Sequence, residues 1–107
     1  MASLRARIET DRGERYLAQL CRHAEAINGR HPAQTHEIDV TAEWSGPRGT
    51  VTFGSVGRCT LAVDGAILTV DIEAADERAA ARIRDIVTRD LERFSHRAPL
   101  TVSWHEP

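Results

Sequence analysis

A chain of 107 residues suits one domain with one core, since a protein of this size hides roughly 65% of its unfolded surface without disulfide or metal staples. Sixteen acids outweigh fourteen cations, all of them arginine and spread along the chain, so no basic patch faces a phosphate backbone and nucleic acid is an unpromising partner. The absence of lysine excludes Schiff-base or lysine-base chemistry, and the lack of any signal-like or membrane-length apolar run predicts a cytoplasmic protein without a membrane span.

The first element is a strand. In SLRARIET the apolar positions Leu4, Ala6 and Ile8 alternate with Arg5, Arg7 and Glu9, the period of a half-buried strand. Asp11 with Glu14 three residues on reads as a capping pair that opens a helix, and Asn28-Gly29 followed by Pro32 reads as its end. After the loop GRHPAQT, the segment HEIDVTAEW places Ile38, Val40, Ala42 and Trp44 on one face. SGPRG is a turn, GTVTFG a short strand with Val51 and Phe53 inward, and RCTLAV a strand with Cys59, Leu61 and Val63 inward. Asp64-Gly65 predicts a type I′ hairpin into AILTVDIEA, whose inward residues are Leu68, Val70 and Ile72. These four strands form an antiparallel meander. From Ala75 to about His96 the period becomes helical, with Ala79, Ile83, Ile86, Val87, Leu91 and Phe94 as the apolar stripe, and LTVSWH alternates as a last strand with Leu100, Val102 and Trp104 inward. The order β-α-β-β-β-β-α-β predicts a single α+β domain: a two-layer sandwich with an antiparallel-rich sheet of about six strands and both helices on one face.

The chemically suggestive stretch is RYLAQLCRHA, Arg15 to Ala24. Residues two apart on a helix point about 200° from each other, so Cys21 and His23 cannot reach one ion from the same turn. Cys21 falls with Leu17, Leu20 and Ala24 in the apolar stripe, as a small hydrophobe would, while His23 lies on the stripe's flank with Tyr16 and Ile27. Cys59 lies on an inward strand face and is a neighbour for Cys21 if the first helix covers it; in a reducing compartment the two are expected to stay unbridged. Two thiols and one imidazole suit zinc or iron, though no CxxC or HExxH spacing supports them. Asp90 interrupts the second helix's apolar stripe and needs a partner, for which Arg93, Arg97, His23 and the Tyr16 hydroxyl are candidates. His31, His36, His96 and His105 sit in loops or at element ends, and GxSxG, GxxxxGK[ST] and GxGxxG are all absent.

RYLAQLCRHA, GRCTLAVDGAILTVDIEA (Gly57 to Ala74) and DLERFSHRAPLTVSW (Asp90 to Trp104) together resemble the bacterial family known as domain of unknown function 2218. The resemblance implies a bacterial α+β domain with no established activity, some of whose relatives are associated with siderophore-interacting flavin reductases. It also implies a shared role for Cys21, His23 and Cys59, which match family positions. Asp90 and Ala26 depart from it, standing where histidines are common. Two readings follow. One is a non-enzymatic accessory or binding protein linked to iron or siderophore metabolism, using His23, Asp90 and Tyr16 toward a ligand, with such a flavin reductase as partner. The other is a small metal-binding or redox protein that holds zinc or iron through Cys21, His23, Cys59 and Asp90. The first reading also predicts that an exposed face, an edge strand next to Trp44 or Trp104, carries the contact, and a homodimer paired through antiparallel edge strands is a further expectation.

Overall fold

The computed structural model describes residues 1–30, 40–95 and 100–106. Its elements are β1 (Ala2–Glu9), α1 (Gly13–Arg30), β2 (Val40–Ser45), β3 (Arg48–Phe53), β4 (Gly57–Asp64), β5 (Ile67–Ala74), α2 (Glu77–Phe94) and β6 (Trp104–His105). The strands form one antiparallel sheet in the order β2-β3-β4-β5-β1-β6, so the meander is present and β1 closes against its last strand.

Register explains why one face is apolar throughout. Ala6, Val70 and Leu61 lie side by side across β1, β5 and β4, and Leu4, Ile72, Cys59 and Val51 form the adjacent row. Because side chains alternate faces, every second residue of each strand joins this layer, and both helices pack on it. Leu17, Leu20 and Cys21 of α1 and Ala80, Ile83, Val87 and Leu91 of α2 are buried against the sheet, which is the predicted two-layer α+β sandwich. The opposite face carries cross-strand pairs of opposite charge: Arg5 Nε lies 2.6 Å from Asp71 Oδ1, and an Arg58 nitrogen 3.5 Å from a Glu73 oxygen. These pairs are directly opposed in register, as polar residues on a solvated sheet face are expected to be. Among the described residues no helix is long and apolar enough to cross a membrane.

Several boundaries differ from the sequence reading. Helix α1 runs through Asn28-Gly29 to Arg30, and its entry is shaped by Thr10, whose hydroxyl accepts from the Arg12 N–H at 3.1 Å, instead of by an Asp11–Glu14 capping pair. The β4–β5 hairpin turns on Gly65-Ala66, with Asp64 and Ile67 as its last pair; only Gly65 has positive φ, at 59°, the pattern of a II′ turn instead of I′. Residues 31–39, which include Ile38, His31 and His36, and residues 96–99, with His96, Arg97 and Pro99, lie outside the described residues.

Helix α2 begins at Asp76, whose carboxylate accepts from the Ala79 N–H at 2.8 Å and satisfies one of the helix's free amides. Replacing Asp76 with alanine is expected to cost about 1 kcal/mol, read as a lowered thermal unfolding midpoint. The other end of α2 explains the largest departure. The six-residue strand LTVSWH is paired only at Trp104 and His105, opposite Ala6 and Arg5. Buried Ser95 donates its hydroxyl to the Leu91 carbonyl at 2.7 Å and accepts from the Leu100 N–H at 3.3 Å. That tether holds Leu100 at the end of α2. The side chains of Leu100 and Val102 still pack on the core, but the backbone of 100–103 makes no ladder with β1.

Candidate functional site

The thiols of the CRH helix and the β4 strand are core. Cys21 and Cys59 are fully buried and unbridged. Gly49 on β3 makes room for the first: a Cβ there would stand 2.9 Å from Leu17 Cδ2 and 3.2 Å from the Cys21 sulfur, so α1 seats on the sheet at a position without a side chain. Burial, with a smaller contribution from Glu25, pushes the Cys21 thiol up to about 11, and burial followed by the proximity of Cys21 pushes Cys59 higher still. Both are therefore neutral thiols at physiological pH, without the thiolate character that nucleophilic or redox sulfur needs.

His23 leaves the same helix in another direction and meets α2. Its Nε2 lies 3.7 Å from Asp90 Oδ1, and its ring stands edge-on to Phe94 with centroids 5.8 Å apart. The imidazole is partly open to solvent, whereas Asp90 is only 3% exposed and its Oδ1 has no hydrogen bond. Burial raises the Asp90 carboxyl above its usual range, opposed by His23, Arg89 and Arg93. The partner anticipated for Asp90 is thus His23, across the helix pair. The structure brings these two together but does not bring them to the thiols: among the described residues no three His, Cys, Asp or Glu side chains converge on a point that would hold a metal ion. The reason is the 100° helical step, which sends Cys21 down to the sheet and His23 sideways to α2.

Tyr16, expected on the flank, is buried at 5% exposure and belongs to the core. It also lines a cleft of about 720 Å³, which opens where β1 ends, α1 begins and the tethered segment 100–103 stands away from the sheet. Arg7 and Glu9 of β1, Arg12 before α1, and Leu100 and Ser103 complete its wall. The hydroxyls, two guanidinium groups and two carboxylates around one buried phenol make a polar recess suited to recognition by hydrogen bonds and charge. The sequence reading groups Tyr16 with His23 and Asp90 instead of with this cleft, and it misses Arg7, Glu9 and Arg12, which look like solvated strand and turn residues. The only available sign was Ser95, a hydroxyl just past an apolar helix.

The model of the family described as an uncharacterized protein conserved in bacteria, DUF2218, matches residues 5–105. The chain belongs to this family. The DUF2218 chain is also similar to a solved structure, the NMR structure of PA4090 from Pseudomonas aeruginosa: 23% of residues are identical, the alignment covers 98% of this chain and 96% of that one, and the TM-score is 0.70. At that identity the likeness establishes a shared fold. No curated protein matches the sequence. The resemblance read from RYLAQLCRHA, the cysteine-bearing hairpin and the closing helix is therefore sound at the level of family and fold.

Proposed function

We propose that this DUF2218 chain is a cytoplasmic, non-enzymatic binding domain that serves iron or siderophore metabolism by engaging a siderophore-interacting flavin reductase. The observation that carries the binding part is the cleft of about 720 Å³ beside Tyr16, a recess lined by both donors and acceptors. The neutral, buried state of both thiols supports the same reading, since it leaves the sulfurs as packing groups. The partner's identity rests on the family association and takes the reading beyond the fold.

Titration calorimetry with the reductase from the same genome tests it. Saturable binding to the wild type is expected, weakened about tenfold or more by Arg12→Glu, a loss of about 1.4 kcal/mol. Absence of any binding heat overturns the partner, and reduction of a ferric siderophore by the isolated chain overturns the non-enzymatic assignment.

A second reading, metal or redox use of Cys21, His23, Cys59 and Asp90 with zinc or iron, keeps one favourable observation, the approach of His23 to Asp90. Elemental mass spectrometry of untagged protein purified without chelator, beside His23→Ala and Cys59→Ser, separates the two. We expect no stoichiometric metal in any of the three samples. Near one equivalent in the wild type, lost in either variant, would establish the rival.

A further inference from the structure

The edge of β1 that faces the cleft is an unfinished ladder. In an antiparallel sheet, successive residues of a strand direct their N–H and C=O groups alternately to one neighbour and the other. The Thr10 N–H donates to the Ala66 carbonyl, on the β5 side, at 2.9 Å. Counting back by twos, Ile8, Ala6 and Leu4 bond toward β5, and Ser3, Arg5, Arg7 and Glu9 bond outward. Strand β6 takes up the outward groups of Arg5 through His105 and stops there. The outward backbone groups of Arg7 and Glu9 consequently have no strand beside them, and both residues line the cleft of about 720 Å³. On the far side of β6, Ser3 lines a second cleft of about 540 Å³.

Two obvious occupants are disfavoured by the geometry. The chain's own segment has the pattern to close the gap, because continuing the β6 register would set Ser103, Val102 and Thr101 opposite Arg7, Ile8 and Glu9. The hydrogen bond from Leu100 to Ser95 keeps that segment at the end of α2. Nor can two copies pair β1 to β1 in a continuous ladder, since β6 covers the middle of each edge at Arg5 and Ala6.

We propose that the Arg7–Glu9 edge of β1 is a docking site for a short extended segment of a partner protein, added as a strand in the cleft. The lining defines its chemistry. Arg7, Glu9 and Arg12 present alternating charges at the mouth, while Tyr16 and Leu100 receive a side chain from within. The fitting segment alternates polar, apolar and polar residues and contributes main-chain hydrogen bonds, the mode by which extended peptides extend a sheet edge. The proposal rests on the reading of this cleft as the binding site and specifies what enters it.

The test uses the whole chain, labelled with ¹⁵N, titrated with the peptide acetyl-Thr-Ser-Val-Thr-Ser-amide to millimolar concentration. Saturable shifts of the Arg7 and Glu9 amides, with slowed hydrogen exchange at both, are expected. The same peptide with prolines replacing the residues on either side of valine should produce none. Glu9→Pro removes only an outward N–H, which a sheet edge tolerates, and should keep the spectrum of the fold while abolishing the shifts. Equal shifts with the proline peptide, shifts confined to the β2 edge, or concentration-dependent dimerisation through the Arg7 and Glu9 amides would each overturn strand docking. If the peptide fails while the reductase still binds in an Arg12-dependent manner, the docking mode falls and the binding function stands; the reverse pattern removes the reductase and leaves the edge.

Discussion

Gly57→Ala is expected to destabilise the protein by about 3 kcal/mol, at the upper end of the usual cost of overpacking. A Cβ at this first residue of β4 would stand 2.5 Å from the Glu73 carbonyl oxygen, 2.9 Å from the Ala74 Cα and 2.9 Å from Ile83 Cδ1. The first two atoms are backbone of β5, which is paired on both sides, to β4 and to β1, and so cannot yield without disturbing three strands. The third belongs to a buried side chain of α2. Gly49→Ala gives the contrast: its nearest neighbour, at 2.9 Å, is the end of the Leu17 side chain, which can shift, while the Cys21 sulfur and the Trp44 Cβ stand farther off at 3.2 Å, and a smaller loss of about 1 kcal/mol follows. Urea unfolding of both variants reads the difference directly. A Gly57→Ala midpoint within error of the wild type would mean that α2 and β5 do not meet at Gly57 as described.

The second large effect belongs to the interhelical pair. His23→Ala should cost about 1–3 kcal/mol wherever Asp90 is ionised, because it strips the nearest opposing group from a buried carboxylate that already lacks a hydrogen bond at Oδ1. Loss of the edge-on contact with Phe94 adds to it. The pH dependence has a definite sign. Burial raises the folded-state pKa of Asp90 above its usual 3.8, so the folded protein holds this proton more tightly than the unfolded chain. Asp90 therefore imposes no ionisation penalty below 3.8, and the penalty grows as pH rises from there through the raised folded value. Asp90→Asn should lose this slope and gain on the wild type as pH increases, whereas His23→Ala should steepen it. Unfolding midpoints for the three proteins between pH 3.5 and 7 test the assignment; parallel curves would show that Asp90 is not the group responsible.

The sheet and the helix pair were legible because both depend on period. Leu4, Ala6 and Ile8, or Cys59, Leu61 and Val63, repeat at the spacing that a one-sided strand requires, and the structure keeps every one of them on the helix-covered face. Asp90 was legible for the opposite reason, as a break in the stripe, and its partner His23 was among the groups within reach. Features that depend on a single hydrogen bond were not legible. Nothing in LTVSWH reveals that Ser95 will hold Leu100 and leave most of the strand unpaired, since its alternation is that of a complete strand. Arg7 and Glu9 read as ordinary solvent-facing residues because the cleft beside them is made by what fails to pair, and periodicity records only what can. The exclusion of a shared sulfur–imidazole site from one helical turn was available from the 100° step alone.

The strand order also governs when the fold can close. Strands β2 to β5 are joined hairpin by hairpin, and each finds its partner a few residues away in the chain. Strand β1 precedes the meander in the chain, yet its partners are Ile67–Ala74 on one side and Trp104–His105 on the other, so it has none until β5 exists. Bringing Ala2 beside Ala74 closes a long loop whose entropy is lost before the contact repays it. The order of synthesis and the order of closure are thus opposed. Until β5 exists the apolar residues of β1 have no strand to pair with, and apolar surface left uncovered in that interval is what a chaperone captures on a nascent chain.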